Sequence, residues 1–430
     1  MAQSHRGMHQ RGFMLAAFYF LNPEEESPMS RSISRMCKAI APSVTLSIDA
    51  KAKNMKQQGL DVVGFGAGEP DFPTPKHICD AAKEAIDLGI TRYTPSEGTL
   101  TLRTAICEKL KRDNGLTYTP GEIIVSGGAK HSLFTIFQAI LDAGDEVLIS
   151  IPCWVSYPEM VRMAGGVPVF VETAEEDCFI PSKAALQAKI TSRTKAIVIT
   201  SPSNPNGCVW PSEALEYTAE LAKEHDFYII SDEIYEKLLY DGLTHLSIAS
   251  LSDDAKSRTF VVNGLSKAYA MTGWRIGYVA GPIDVIKAMA NFQSQATSNP
   301  NSIAQHAGVT ALLGDQGCVF EMAKEFERRR DYMVERINSI PSLSCKKPAG
   351  AFYVMLNIKK LIGSKFDGKT IEGSMDFADL MLTEEKVAVV PGVAFEAEGY
   401  CRLSYAVSLA DIQKGLDRIE HFISLLEASV

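Results

Sequence analysis

Two hydrophobic patterns alternate along the first three quarters of the chain. Short runs rich in Val, Ile and other apolar residues fall at 122–126, 146–150, 167–172, 196–200, 227–231, 259–263 and 276–280. Several are continuously apolar, the pattern of strands buried on both faces of a mostly parallel sheet. The stretches between them carry apolar residues at helical spacing, as from Leu215 to His225. Strand then helix, repeated, predicts a three-layer α/β domain over 76–320 with a mainly parallel seven-stranded sheet.

Beyond residue 320 the pattern changes. A long charged helix is expected near 320–338, strands near 351–357, 387–390 and 401–405, and a closing helix over 410–426. That is a smaller α+β unit, assigned to residues 30–75 plus 321–430. The first of these segments joins it because Pro70-Asp71-Phe72-Pro73-Thr74-Pro75 interrupts regular structure just before the large domain. Residues 1–29 read differently again. Arg6 and Arg11 precede an apolar run from Phe13 to Leu21, loosely like a signal peptide. The run is too short to span a bilayer, and Asn22-Pro23-Glu24-Glu25-Glu26 follows where a small-residue cleavage site would be needed. Residues 1–29 are therefore expected to be a disordered extension or an upstream start, with Met29 opening the enzyme proper. The protein is expected in the cytoplasm.

Composition narrows the class. Of 430 residues, 46% are hydrophobic and 22% charged, which is ordinary globular composition. A net charge of −9 argues against a general nucleic-acid surface, which needs clustered Lys and Arg. Nine cysteines are scattered with no C-x-x-C pair, and the eight histidines show no H-E-x-x-H spacing. Free thiols in a reducing compartment and no metal site are the expectation.

In an open α/β sheet, ligands bind beyond the carboxyl ends of the strands, so the residues just after each run carry the candidate chemistry. Ser126-Gly127-Gly128-Ala129-Lys130 follows one strand and opens a helix. Glycines let backbone N–H groups approach a phosphate, and a helix N-terminus favours negative charge. Ser201-Pro202-Ser203-Asn204-Pro205-Asn206-Gly207 follows another, with Asn204–Pro205 a candidate cis bond. Asp232 and Tyr235 lie in Ser231-Asp232-Glu233-Ile234-Tyr235, where Asp232 alone would read as a helix N-cap. Lys267 lies in Gly264-Leu265-Ser266-Lys267-Ala268-Tyr269. A lysine on the lip of an apolar sheet has a lowered pKa when partly desolvated, and its amine can form a Schiff base. Arg402, in Cys401-Arg402-Leu403-Ser404-Tyr405, offers a fork that grips a carboxylate with two parallel hydrogen bonds. It could equally guard an edge strand. Each motif alone is weak.

Together, in this order and spacing over roughly 30–428, they resemble the class I pyridoxal-phosphate aminotransferases. The stretch from Gly264 through Arg275 to Gly277 resembles that family's lysine signature at every constrained position. The resemblance implies fold-type I architecture and pyridoxal 5'-phosphate as cofactor, with Lys267 its covalent attachment and the proton shuttle. It implies that Gly128, Ala129, Ser266 and Arg275 hold the phosphate, and that Asp232 keeps the pyridine nitrogen protonated. Tyr235 and Asn204 would share the phenolic oxygen, and Trp154, in Pro152-Cys153-Trp154, would stack on the ring. The family usually has tyrosine where this chain has Cys153. Arg402 and the backbone of Gly68 would bind the substrate α-carboxylate. Tyr93 would reach the phosphate of a neighbouring subunit, implying a homodimer with composite sites.

The nearest resemblance is to the aspartate/prephenate subgroup, in which a lysine and a threonine matching Lys130 and Thr45 read a second carboxylate. The implied activity is transfer of an amino group from aspartate or glutamate to a 2-oxo acid. Prephenate, alanine or aromatic aminotransferase and β-lyase activities are the alternatives within the fold. A regulatory protein with a retired domain is the alternative from another class. It is disfavoured because Lys267, Asp232 and Arg402 are all present and only a short tail precedes residue 30.

Overall fold

The computed structural model describes residues 33–426, so the extension expected over 1–29 lies outside the described residues. The chain divides into a unit ending at Ile40 and a unit beginning at Ala41. In the first, Arg35–Ala39 forms a short helix whose N-cap Ser34 accepts a hydrogen bond from the Cys37 N–H.

In the second, the seven apolar runs are seven strands of one sheet. Across it they lie in the order Ile123–Ser126, Gly277–Ala280, Thr259–Gly264, Tyr228–Asp232, Thr194–Thr200, Glu146–Ile151, Val167–Glu172. Gly277–Ala280 runs antiparallel to both its neighbours, and the remaining adjacent pairs are parallel. The exception follows from its connection. Residues 265–276 contain no α-helix to make the crossover that a parallel pair requires, so the chain turns back beside the strand it has just left. The central strands are apolar on both faces because helices cover both. Ala129–Ile140 buries Leu133, Ile136 and Phe137 against the sheet, each contributing roughly 2 kcal/mol.

A second, antiparallel sheet has the order Val390–Pro391, Tyr400–Ser404, Tyr353–Asn357. Helices Gly317–Ser339 and Leu409–Ser424 are linked by Arg336, which bonds Asp417 and Glu420. The run expected as one strand over 387–390 serves two partners. Val387–Ala388 pairs in parallel with Val63–Gly64, and Val390–Pro391 pairs with the Tyr400–Ser404 strand. This joins the segment before residue 76 to the segment after 320. Gly415 is needed there, since a Cβ would lie 2.4 Å from the Phe65 ring.

Among the described residues the cis bonds are Ile151–Pro152 and Ser201–Pro202, and Asn204–Pro205 is not among them. The close approach in this turn falls at Pro202, which packs so tightly on Gly350 that a Cβ there would lie 2.6 Å from the Pro202 ring.

Candidate active site

Loops at the carboxyl ends of five strands, together with the central strand of the smaller sheet, enclose a cavity of about 290 Å³. Twelve of the residues singled out from the sequence line it: Thr45, Gly68, Ala129, Lys130, Trp154, Asn204, Asp232, Tyr235, Ser266, Lys267, Arg275 and Arg402. Gly128 stands at its margin. Tyr93 does not line it and is 90% exposed.

At one end, Gly128 is the N-cap of helix Ala129–Ile140, with φ of +96°. A side chain there is excluded twice over, by that backbone and by Arg275, whose Nη2 would lie 2.2 Å from a Cβ. Arg275 is itself left-handed, and it donates to the carbonyls of Thr272 (2.8 Å) and Gly127 (3.1 Å). Gly277 lets the outgoing strand touch the same turn, since a Cβ there would meet Ala129 N at 2.2 Å. Helix N–H groups and a guanidinium thus share one corner of the cavity that Ser266 also lines, a set of groups suited to a phosphate.

Asp232 is buried at the end of its strand. Oδ2 accepts from the Tyr157 hydroxyl (2.7 Å) and Oδ1 from the Ile234 N–H (3.2 Å). Burial pushes its carboxyl up to about 6, while the Tyr157 hydrogen bond works in the opposite direction. A buried carboxylate in this state fits a cationic ring nitrogen. Lys267 faces the same space and donates to the Gly68 carbonyl. Burial lowers its amine to about 8; Glu69 opposes that, and Arg275 and Arg402 add to it. An amine in this range is partly neutral near pH 7, the form that attacks a carbonyl.

Arg402 is buried among Asn204, Gly66 and two rings. Nη1 donates to Asn204 Oδ1 (2.9 Å) and Nη2 to the Gly66 carbonyl (2.8 Å), while the guanidinium lies 4.4 Å from the Tyr353 ring centroid and 5.0 Å from that of Phe395. Its Nε is buried without a partner. The edge-guard reading of Arg402 fails, because its strand is the middle one of three. Lys130 also lines the cavity, its Nζ 4.7 Å from the Trp154 ring centroid and its pKa lowered by burial and by Arg275. Thr45 lies in the first turn of helix Val44–Gln57, its hydroxyl 2.9 Å from that of the N-cap Ser43.

The structure adds residues that the sequence did not single out. The Tyr353 hydroxyl bonds that of Tyr235 at 2.9 Å, and Tyr157 bonds both Asp232 and Thr200. Tyr157 stands three positions after Trp154, just inside the helix that Trp154 precedes, and its N–H donates to the Trp154 carbonyl at 3.1 Å, so closeness in sequence to Trp154 was a usable signal. For Tyr353, inside an apolar strand, there was none.

Near Asp232 in sequence, Glu233, Glu236 and His245 bring ligand-type atoms within 4.8 Å of one another, a grouping that sequence spacing did not reveal. Their charges are balanced within the protein. Lys109 pairs with Glu236, whose second oxygen accepts from Asn114, and His245 Nε2 lies 2.9 Å from Glu233. Burial opposes a charge on His245, but Glu233 and Glu236 outweigh it and hold its pKa above the ordinary value.

The sequence profile of the family described as aminotransferase class I and II matches residues 60–419. An aspartate aminotransferase of Bacillus sp. (strain YM-2) is 50% identical over 396 residues, spanning 92% of this chain and 100% of that protein. An aspartate/prephenate aminotransferase of Thermus thermophilus is 48% identical over 391 residues, spanning 90% of this chain and 98% of that one. The solved structure of the Thermus thermophilus aspartate aminotransferase with maleate superimposes with a TM-score of 0.86 at 47% identity, over 91% of this chain and 100% of that chain. The chain belongs to the aminotransferase class I and II family, and it is an aminotransferase.

Proposed function

We propose that the protein moves the amino group of L-aspartate or L-glutamate to a 2-oxo acid, with pyridoxal 5'-phosphate held in the cavity described above. The observation that carries this is the convergence of Lys267, Asp232 and Arg402 on one cavity in a chain of this family. The residues fit the cofactor. The Gly128 corner tolerates no side chain and suits a phosphate, Asp232 is a buried carboxylate suited to a protonated ring nitrogen, and Lys267 is the amine that would bond the aldehyde.

When bound, pyridoxal phosphate withdraws electrons from the substrate α-carbon and stores the amino group between two half-reactions. Ser266, Arg275 and the N–H groups at Gly128 and Ala129 would hold the phosphate. Asp232 would keep a negative charge toward the ring nitrogen, and Trp154 would help to exclude water. The Tyr235 hydroxyl and Asn204 would bind the phenolic oxygen. Arg402, with the Gly68 backbone, grips the α-carboxylate and so decides which bond at the α-carbon is aligned for cleavage. Lys267 Nζ takes the α-proton and returns it. A second oxo acid uses the same groups in reverse, giving ping-pong kinetics.

Lys130 and Thr45 are the groups proposed to read the second carboxylate. Lys130→Ala is expected to raise KM for aspartate about 30-fold and KM for alanine less than 3-fold. Equal effects on both substrates would remove Lys130 from the specificity pocket and favour the alanine, aromatic or lyase alternatives. Prephenate is proposed as a second acceptor, supported by the 48% identity to the aspartate/prephenate aminotransferase of Thermus thermophilus.

We propose further that residues 30–75 with 321–430 form a small domain and 76–320 a large one. The Val63–Gly64 pairing with Val387–Ala388 and the Arg329–Asp71 ion pair at 2.8 Å support that division. Arg402 would then draw the small domain inwards when substrate binds. A homodimer is proposed in which Tyr93 of one copy reaches the phosphate corner of the other. Its support is the exposure of Tyr93 together with Leu88 and Leu100 on the same stretch. A cytoplasmic location is proposed because all nine cysteines are free. Among the described residues, no helix is long and apolar enough to cross a membrane.

A further inference from the structure

We infer that Tyr157 is a positioning residue for cofactor binding: its hydroxyl, oriented by Thr200, fixes the Asp232 carboxylate, and its ring braces Trp154. The inference rests on the reading that pyridoxal phosphate occupies this cavity.

Tyr157 lies in the first turn of helix Ser156–Met163 and is 2% exposed. Its oxygen is 2.7 Å from Asp232 Oδ2 and 2.7 Å from Thr200 Oγ1. A phenol has one proton. Ionised Asp232 only accepts, so Tyr157 must donate to it, and Thr200 must then donate to Tyr157. The result is a directed chain, Thr200 to Tyr157 to Asp232, in which every hydrogen bond favours the charged carboxylate. The Ile234 N–H fixes the other carboxylate oxygen at 3.2 Å. Both oxygens are thereby fixed, and the carboxylate plane is set before any ligand arrives. Burial alone would tend to neutralise Asp232, and the Tyr157 hydrogen bond opposes this. The same ring meets Trp154 edge to face, with centroids 5.2 Å apart at 82°. One side chain thus supports both the group proposed to meet the ring nitrogen and the group proposed to cover the ring.

The test is a titration of the cofactor-free protein with pyridoxal phosphate, followed by absorbance at several pH values, with the melting temperature of each cofactor-free variant recorded alongside. Tyr157→Phe keeps the ring and removes the donor. It is expected to weaken binding about 10-fold at pH 7.5 and to move the acid limb of the binding profile to higher pH, with an unchanged melting temperature. Thr200→Val removes the orienting donor and should shift the limb the same way by a smaller amount. Should Tyr157→Phe fail to fold, Thr200→Val carries the test alone. Wild-type affinity and an unmoved acid limb in these variants, while Asp232→Asn binds weakly, would reduce Tyr157 to a space-filling residue and leave the functional reading intact. Wild-type protein that fails to bind pyridoxal phosphate at all would overturn both.

Discussion

Lys267→Ala is expected to lower amino-group transfer about 10⁴-fold while leaving the melting temperature of the cofactor-free protein near that of the wild type. The size follows from the two duties proposed for one amine, covalent attachment and proton transfer, the second alone being worth roughly 10²–10⁴-fold. The other lysine lining the cavity, Lys130, is not expected to substitute, because its amine lies against the Trp154 ring. The folded structure loses little, since the hydrogen bond recorded for the Lys267 amine is the one to the Gly68 carbonyl. The pH dependence carries a sign. Burial lowers the amine to about 8, so its neutral fraction grows as pH rises through that value. Covalent capture of pyridoxal phosphate by the wild type should accelerate up to about pH 8 and level off above it. An ordinary lysine would keep gaining to about 10.4. Borohydride reduction followed by peptide mass analysis checks the site. Label on Lys267 in the wild type and none in the variant is the expected pair, whereas transfer that survives in the variant would move the chemistry to another residue.

Arg402→Ala is expected to reduce kcat/KM about 10³-fold for every α-amino acid tested. Truncating one side of a buried, hydrogen-bonded charge pair costs about 2–5 kcal/mol, and 10³-fold lies inside that range. Arg402→Lys should recover only a minor part, because an ammonium cannot present two parallel donors to a carboxylate. The effect should be equal for aspartate and alanine, since the group proposed to be read is common to both. That separates Arg402 from Lys130. Steady-state kinetics with both amino acids measures the contrast, and a loss confined to aspartate would mean that Arg402 reads the side chain instead.

Much of this architecture was legible in the order of residues, for a definite reason. Several of the strands are continuous apolar runs, and five strands are followed at once by the polar or glycine-containing turns that line the cavity or flank it. The sheet therefore places Gly128, Asn204, Asp232 and Lys267 at one edge with little help from distant contacts. Strand direction was less accessible. Gly277–Ala280 looks like its neighbours, and only the missing crossover helix marks it as antiparallel. The 387–391 stretch reads as one strand because apolar pattern does not record which of two sheets each residue joins. Tyr353 and Thr200 gain their roles from approach across long sequence distances, and in their own segments they look like ordinary strand residues. The Glu233–His245 pairing was hidden likewise, since both partners lie in one irregular connection after the strand Tyr228–Asp232, where no helical or strand period relates them.

Exchange of amino groups through Lys267-bound pyridoxal phosphate in this cavity is tested most directly by an absorbance spectrum of the purified protein, recorded before and after addition of L-aspartate and then of a 2-oxo acid. The absorption of the Lys267-bound cofactor is expected to give way to that of its amine form on adding aspartate, and the oxo acid is expected to restore it. Bound cofactor whose spectrum responds to neither aspartate nor glutamate would contradict the account.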